Sequence, residues 1–187
     1  LTVEEKTPWA SFVKNKKYPP VDEELALRHF LSLVKEAEEN GFEHYEISNF
    51  GKPNYFSQHN SSYWKGKHYL GVGPSAHSYY NKNRYWNVSN NAKYINALEI
   101  GGSYYEMEAL SVVDRFNEAV MIGLRTIYGV DMAKLKLDFG LKFYDYLLKN
   151  SKSFIDNGTL YLVDNCLKAT NKGKFLVDGI AAELFYV

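Results

Sequence analysis

Cysteine is almost absent: Cys166 is the single one in 187 residues. An internal disulfide is thereby excluded, as is any all-cysteine zinc or iron–sulfur site made by this chain alone. There is no apolar run long enough to cross a bilayer and no basic stretch leading into an apolar one, so secretion and membrane spanning are disfavoured and a cytoplasmic setting is the expectation. Net charge is missing as well. Lys+Arg and Asp+Glu stand at 22 each, which leaves the chain as a whole without an electrostatic reason to seek phosphate backbones. No internal repeat or low-complexity tract is present. The first residue is Leu1 rather than methionine, which suggests a piece of a longer protein.

Hydrophobic residues at 45% and charged residues at 24% are enough for a sizeable core, in one large domain or two small ones. What is abundant is aromatic surface, and it is concentrated. Half of the 30 aromatic residues fall between Phe42 and Tyr105, along with four of the five histidines, His44, His59, His68 and His77. Within that segment stand Gln58-His-Asn-Ser-Ser-Tyr-Trp64 and the glycine-punctuated His68-Tyr-Leu-Gly-Val-Gly-Pro-Ser-Ala-His77. Such a surface suits a flat, apolar partner.

Prolines 8, 19 and 20 break the first twenty residues into a connector with at most one short helix, around Trp9 to Lys14. Asp22 caps a helix whose apolar stripe is Leu27, Phe30, Leu31, Val34 and Ala37, with His29 beside it and Asn40-Gly41 as the stop. Phe42 to Ser48 reads as a strand after a one-glycine turn, half of a repeating α/β unit. If that strand is parallel to others, Ser48, Asn49, Phe50 and the loop leading to His59 lie at the ligand-gathering rim. His68 to Val72 reads as a further strand, and Ser78-Tyr-Tyr with Arg84-Tyr-Trp-Asn87 as a hairpin turning on Asn81-Lys-Asn83. Ala92 to Ile100 is a short helix.

From Ser111 the pattern changes to helices over 111–127, 132–137 and 141–155. A hairpin turning at Asp164-Asn165 follows, then a last helix from about Lys172 to Phe185. Three helices and a hairpin make a winged-helix arrangement. The domain boundary is placed near residue 108, giving segments 1–108 and 109–187, and the class is α/β, or α+β overall.

Taken by itself, His59 is a lone histidine near a chain turn. Such residues are usually structural, and Asn60 could simply cap a helix carrying Tyr63 and Trp64. The other histidines show no tight chelate spacing, and neither HxxxH nor CxxC occurs, which argues against zinc. Gly71-Val-Gly73-Pro74 lacks the third glycine of a dinucleotide fingerprint, so a tight turn is its plain reading. Residues 111–187 carry ten Lys+Arg against nine Asp+Glu, too sparse a basic face for DNA; no nucleic-acid partner is expected. Cys166 reads as a buried small residue.

Three stretches carry a resemblance: Tyr45-Glu-Ile-Ser-Asn-Phe50, the HNxxYW pattern at His59-Asn60-Ser-Ser-Tyr63-Trp64, and Tyr69-Leu-Gly-Val-Gly-Pro-Ser-Ala-His77. In them the chain resembles the C-terminal portion of the HemW family, radical-SAM relatives of oxygen-independent coproporphyrinogen III oxidase. The resemblance implies that 1–108 is the last part of an incomplete α/β barrel and that 109–187 is a winged-helix-like HemN C-terminal domain. It also implies a parent with a [4Fe–4S] cluster on CxxxCxxC, S-adenosylmethionine at that cluster, and haem bound for delivery to acceptor proteins. Carried over residue by residue, His59 becomes the axial ligand of the haem iron, with Asn60, Tyr63 and Trp64 orienting it or packing on the ring. Gly71, Gly73 and Pro74 match a glycine turn on the S-adenosylmethionine side. The three-cysteine motif is absent here, so this chain cannot hold the cluster or start radical chemistry without the missing N-terminal barrel part. The competing readings are a fragment of a coproporphyrinogen III oxidase and, behind it, a winged-helix nucleic-acid module.

Overall fold

A computed structural model describes residues 3–187. The chain divides into two compact units, one running to Asn54 and one from Tyr55 to Val187. In the first, Thr7 caps α1 (Pro8–Lys14), and the Asp22 carboxylate accepts from the Leu25 amide to start α2 (Glu23–Glu39). Val34 is the buried centre of the α2 stripe; Leu31 lies exposed, as does His29.

The strand expected next is real, but it is not parallel to anything described. β1 (Glu43–Glu46) pairs antiparallel with β2 (Asn49–Gly51). The reason is local: two residues separate the strands, whereas a parallel pair needs a crossover of a dozen or more. The buried Glu46 carboxylate closes the turn by accepting from the Ser48 amide and from the Asn49 side chain. Ser48, Asn49 and Phe50 therefore belong to a hairpin rather than to a rim loop.

In the second unit α3 (Gln58–Trp64) precedes a three-stranded antiparallel sheet of β3 (His77–Tyr80), β4 (Asn83–Asn87) and β5 (Tyr105–Ala109), in that spatial order. The β3–β4 turn is made by Asn81 and Lys82, both with positive φ, as the asparagine-rich turn suggested. The strand expected over His68 to Val72 reduces to one bridge, Tyr69 to Tyr79. Side chains take over the ladder there: the Gly71 amide donates to Ser78 Oγ, and Asn87 donates to the Gly71 and Gly73 carbonyls. After β4 comes α4 (Asn91–Glu99), capped by Asn90. The boundary placed near residue 108 falls within β5.

Ser111 and Asp114 form a reciprocal capping box for α5 (Val112–Arg125). The Ser111 hydroxyl and amide, in that order, hold the Asp114 carboxyl below its ordinary value. Phe116, Val120 and Leu124, at helical spacing, are buried against α6 (Met132–Phe139), α7 (Leu141–Asp156) and a sheet ordered β6 (Val130–Asp131), β8 (Cys166–Ala169), β7 (Leu160–Val163). The β7–β8 hairpin turns at Asp164 and Asn165, where the sequence placed it. Cys166 is half-buried in β8, not fully buried: its neighbour Leu167 takes the core-facing place of the alternation.

The single last helix expected from Lys172 to Phe185 is two, α8 (Asn171–Phe175) and α9 (Val177–Glu183), broken at Leu176. α8 is held against the backbone of Thr159, while Val177, Ile180, Ala181 and Leu184 must turn into the core. One axis does not satisfy both. A Cβ at Gly173 would stand 1.9 Å from the Thr159 carbonyl oxygen, whereas at Gly179 it would meet nothing. Gly173→Ala is therefore expected to lose about 1–3 kcal/mol by overpacking, and Gly179→Ala to gain about 0.5–1 kcal/mol from helix propensity. Urea unfolding of the two variants checks both signs.

Candidate functional site

The residues singled out by the sequence lie on α3 and on the loop between it and β3. Ser57, not Asn60, caps α3: its hydroxyl accepts from the Asn60 amide, which puts Asn60 in the first turn. His59 and Tyr63 are four residues apart and share one face. The Tyr63 hydroxyl lies 3.0 Å from His59 Nε2, and the two rings meet edge to face at 5.0 Å. Both side chains are open to solvent. Tyr63 also packs edge-on against Tyr69 at 4.7 Å. Burial first, and the neighbouring Tyr63 next, push the Tyr69 phenol up, so Tyr69 is a neutral group at any ordinary pH.

Trp64 is elsewhere. Five residues past His59, it points about 140° away round the helix. Its half-buried ring lies 5.9 Å from the Arg125 guanidinium, on the side of α5. There it lines a cleft of about 680 Å³ with Tyr79, Arg115 and Ile122 among others. His59 and Tyr63 thus form an outward imidazole–phenol pair and Trp64 an inward indole, with Asn60 in the first turn.

Gly71, Gly73 and Pro74 form a turn built for contact with its own chain. A Cβ at Gly71 would come within 2.2 Å of the His77 carbonyl oxygen, and Gly73 has φ +103°. The Gly73 amide donates to the Tyr94 hydroxyl at 3.3 Å. Pro74 is exposed. Beside this turn, one face of the β3–β4–β5 sheet forms a cleft of about 470 Å³ with Tyr80, Tyr85, Tyr105 and His68. The sequence reading missed β5 and hence this wall. Its signal was present in Tyr105-Glu-Met-Glu-Ala109, an alternation of apolar and acidic residues.

Among the described residues no three His, Cys, Asp or Glu side chains converge as a metal site, and no helix is long and apolar enough to cross a membrane. His44 is buried, with Nε2 2.9 Å from the Ile47 carbonyl and its ring stacked on Phe50, which makes it part of the first unit's core.

The HemN C-terminal domain family matches residues 110–176, from the end of β5 through α8. Over 94% of its length the chain is 28% identical to the heme chaperone HemW of Bacillus subtilis, of which it covers 47%. With the heme chaperone HemW of Lactococcus lactis it shares 33% identity over 75% of its length and 39% of the relative's. The chain fits the C-terminal part of a HemW-like protein. Radical S-adenosyl methionine domain-containing protein 1, mitochondrial, of Dictyostelium discoideum is 31% identical over 91% of the chain and 44% of that protein. The HemW-like chain thus spans less than half the length of these relatives. In fold the chain is similar to part of coproporphyrinogen III oxidase (HemN) from Escherichia coli, a radical SAM enzyme, with TM-score 0.65 and 18% identity over 83% of this chain and 39% of the other.

Asn87 is the residue on which the glycine turn depends. It is 5% exposed and its amide serves two carbonyls, at 3.3 and 2.8 Å. Asn87→Ala leaves the Gly71 carbonyl without its donor and the Gly73 carbonyl with the Ala76 amide alone, an expected loss of about 1–3 kcal/mol. Hydrogen exchange at the Gly71 and Gly73 amides should speed up more than in α5; equal acceleration in both places would contradict this role.

Proposed function

We propose that the chain is the haem-binding part of a haem chaperone, and that the His59 imidazole is the axial ligand of the iron. The observation carrying this reading is the exposed His59–Tyr63 pair on a helix fixed at its other face by Trp64. A neutral imidazole is a good iron ligand, and a hydrogen bond to one ring nitrogen orients the other. Tyr63 supplies that hydrogen bond and presents an aromatic edge to a macrocycle. Asn60 lies next to His59 in the same first turn. The curated relatives support the reading through their names, heme chaperone HemW, over most of this chain.

In this reading residues 1–108 are the last part of an incomplete α/β barrel. Residues 109–187 are a winged-helix-like domain, in which α5, α6, α7 and the β7–β8 hairpin are the winged-helix part and α8 and α9 follow it. Gly71, Gly73 and Pro74 stand on the S-adenosylmethionine side, as a turn that shapes the wall rather than gripping a ligand through the Gly71 backbone. Haem passes from this protein to acceptor proteins in the cytoplasm. The parent's [4Fe–4S] cluster does not fit this chain: Cys166 is its one thiol, and three are needed.

Coproporphyrinogen III oxidase is the competing parent activity. The fold likeness to that enzyme stands at 18% identity, whereas the chaperone relatives reach 33%, and the latter weigh more.

Haem titration of the chain should give a Soret band that shifts in His59→Ala. The variant's affinity should fall by at least about tenfold, the lower end of what even outer-shell changes cost at metal sites. An unchanged band and affinity would remove His59 from the iron.

A further inference from the structure

The cleft on the inner side of α3 has a feature that packing alone does not explain. Two buried N–H donors of its lining have no acceptor, Nε1 of Trp64 and Nε of Arg115; of the lining carboxylates, Glu118 Oε1 is also buried without a hydrogen bond. Native proteins leave few such groups without a partner, and each calls for an explanation. The charges around them are unequally matched. Glu118 is paired with Arg84, Asp138 with Lys134, and the Asp131 carboxylate accepts from the Lys134 amide as the α6 cap. Lys65, Lys82 and Arg115 also line the cleft and have no carboxylate partner among the described residues. Apolar side chains complete the lining, Ile122 and Phe139 among them. At about 680 Å³ the space is of the size that holds small ligands.

We infer that this cleft binds the carboxylate end of an apolar acid, with Trp64 and Arg115 donating to the carboxylate and Lys65 and Lys82 attracting it. A carboxylate accepts several hydrogen bonds at once and would satisfy both orphan donors. The apolar wall takes the body of the ligand, whose negative charge matches the unpaired cations. A propionate-bearing tetrapyrrole has this chemistry, so the inference extends the proposed haem-binding function, on which its choice of ligand rests. It does not depend on iron ligation, because Trp64 and His59 point to different sides of α3.

The test uses metal-free protoporphyrin IX and its dimethyl ester, followed by porphyrin fluorescence. The intact chain should bind the diacid at least about tenfold more tightly than the ester, which keeps the ring and loses the charges. Arg115→Gln should bring the diacid's affinity close to the ester's and leave the ester's unchanged. Lys82→Asn keeps a residue suited to its left-handed turn position and should weaken the diacid severalfold; it decides the matter if Arg115→Gln fails to fold. Equal affinity for diacid and ester, or an unaltered diacid affinity in a folded cleft variant, would overturn the inference. Neither result bears on His59, which the haem titration judges alone.

Discussion

Helical geometry over Gln58–Trp64 is the constraint on which the rest depends. A helix turns about 100° per residue, so consecutive motif residues do not all point at one ligand. His59 and Tyr63 fall together and face outward; Trp64 falls inward, next to the Arg125 guanidinium. That contact places α3 beside α5, and α5 is the helix around which the C-terminal core is built. Arg125 reaches further, to Asp178 of α9 at 2.6 Å, and Arg84 ties β4 to Glu118 of α5. The outward pair therefore stands on a helix held by the well-packed part of the second unit, which suits a residue that must hold a metal in a set direction.

The glycine turn plays the complementary part. Its backbone hydrogen bonds go to Ser78, Asn87 and Tyr94 rather than to a neighbouring strand. The segment from Leu70 to Pro74 thus runs beside the β3–β4–β5 sheet without joining it, and Leu70 and Val72 stay exposed. The close approach of Gly71 to His77 is what permits this path. Here glycine serves the chain's own packing, which is the plainer of the two roles that the motif suggested.

Much of this was legible in the sequence because it depends on short-range chemistry. Asp22, Ser111 and the Asp164-Asn165 turn act within three or four residues of themselves, and each stands where its side chain predicts. The errors have longer-range causes. The partner of β1 was misread because strand direction is set by pairing, which periodicity does not encode. The break at Leu176 follows from the Thr159 backbone, twelve residues before α8 begins, and no local pattern announces it. For the site, the residues of α3 were readable as a motif, but their division between two faces required the helix, and the unmatched donors of Trp64 and Arg115 required the packed cleft. The tyrosine wall was hidden by the missed β5, although its alternation was there to be counted.

The central claim is that the outward pair of α3, and not another histidine of this aromatic segment, meets the haem iron. Paramagnetic broadening in two-dimensional NMR of the isotope-labelled chain with ferric haem tests it most directly. The account predicts broadening centred on the His59 and Tyr63 amides, with α7 and the β7–β8 hairpin unaffected. Broadening centred on His68 or His77, with α3 unperturbed, would contradict it.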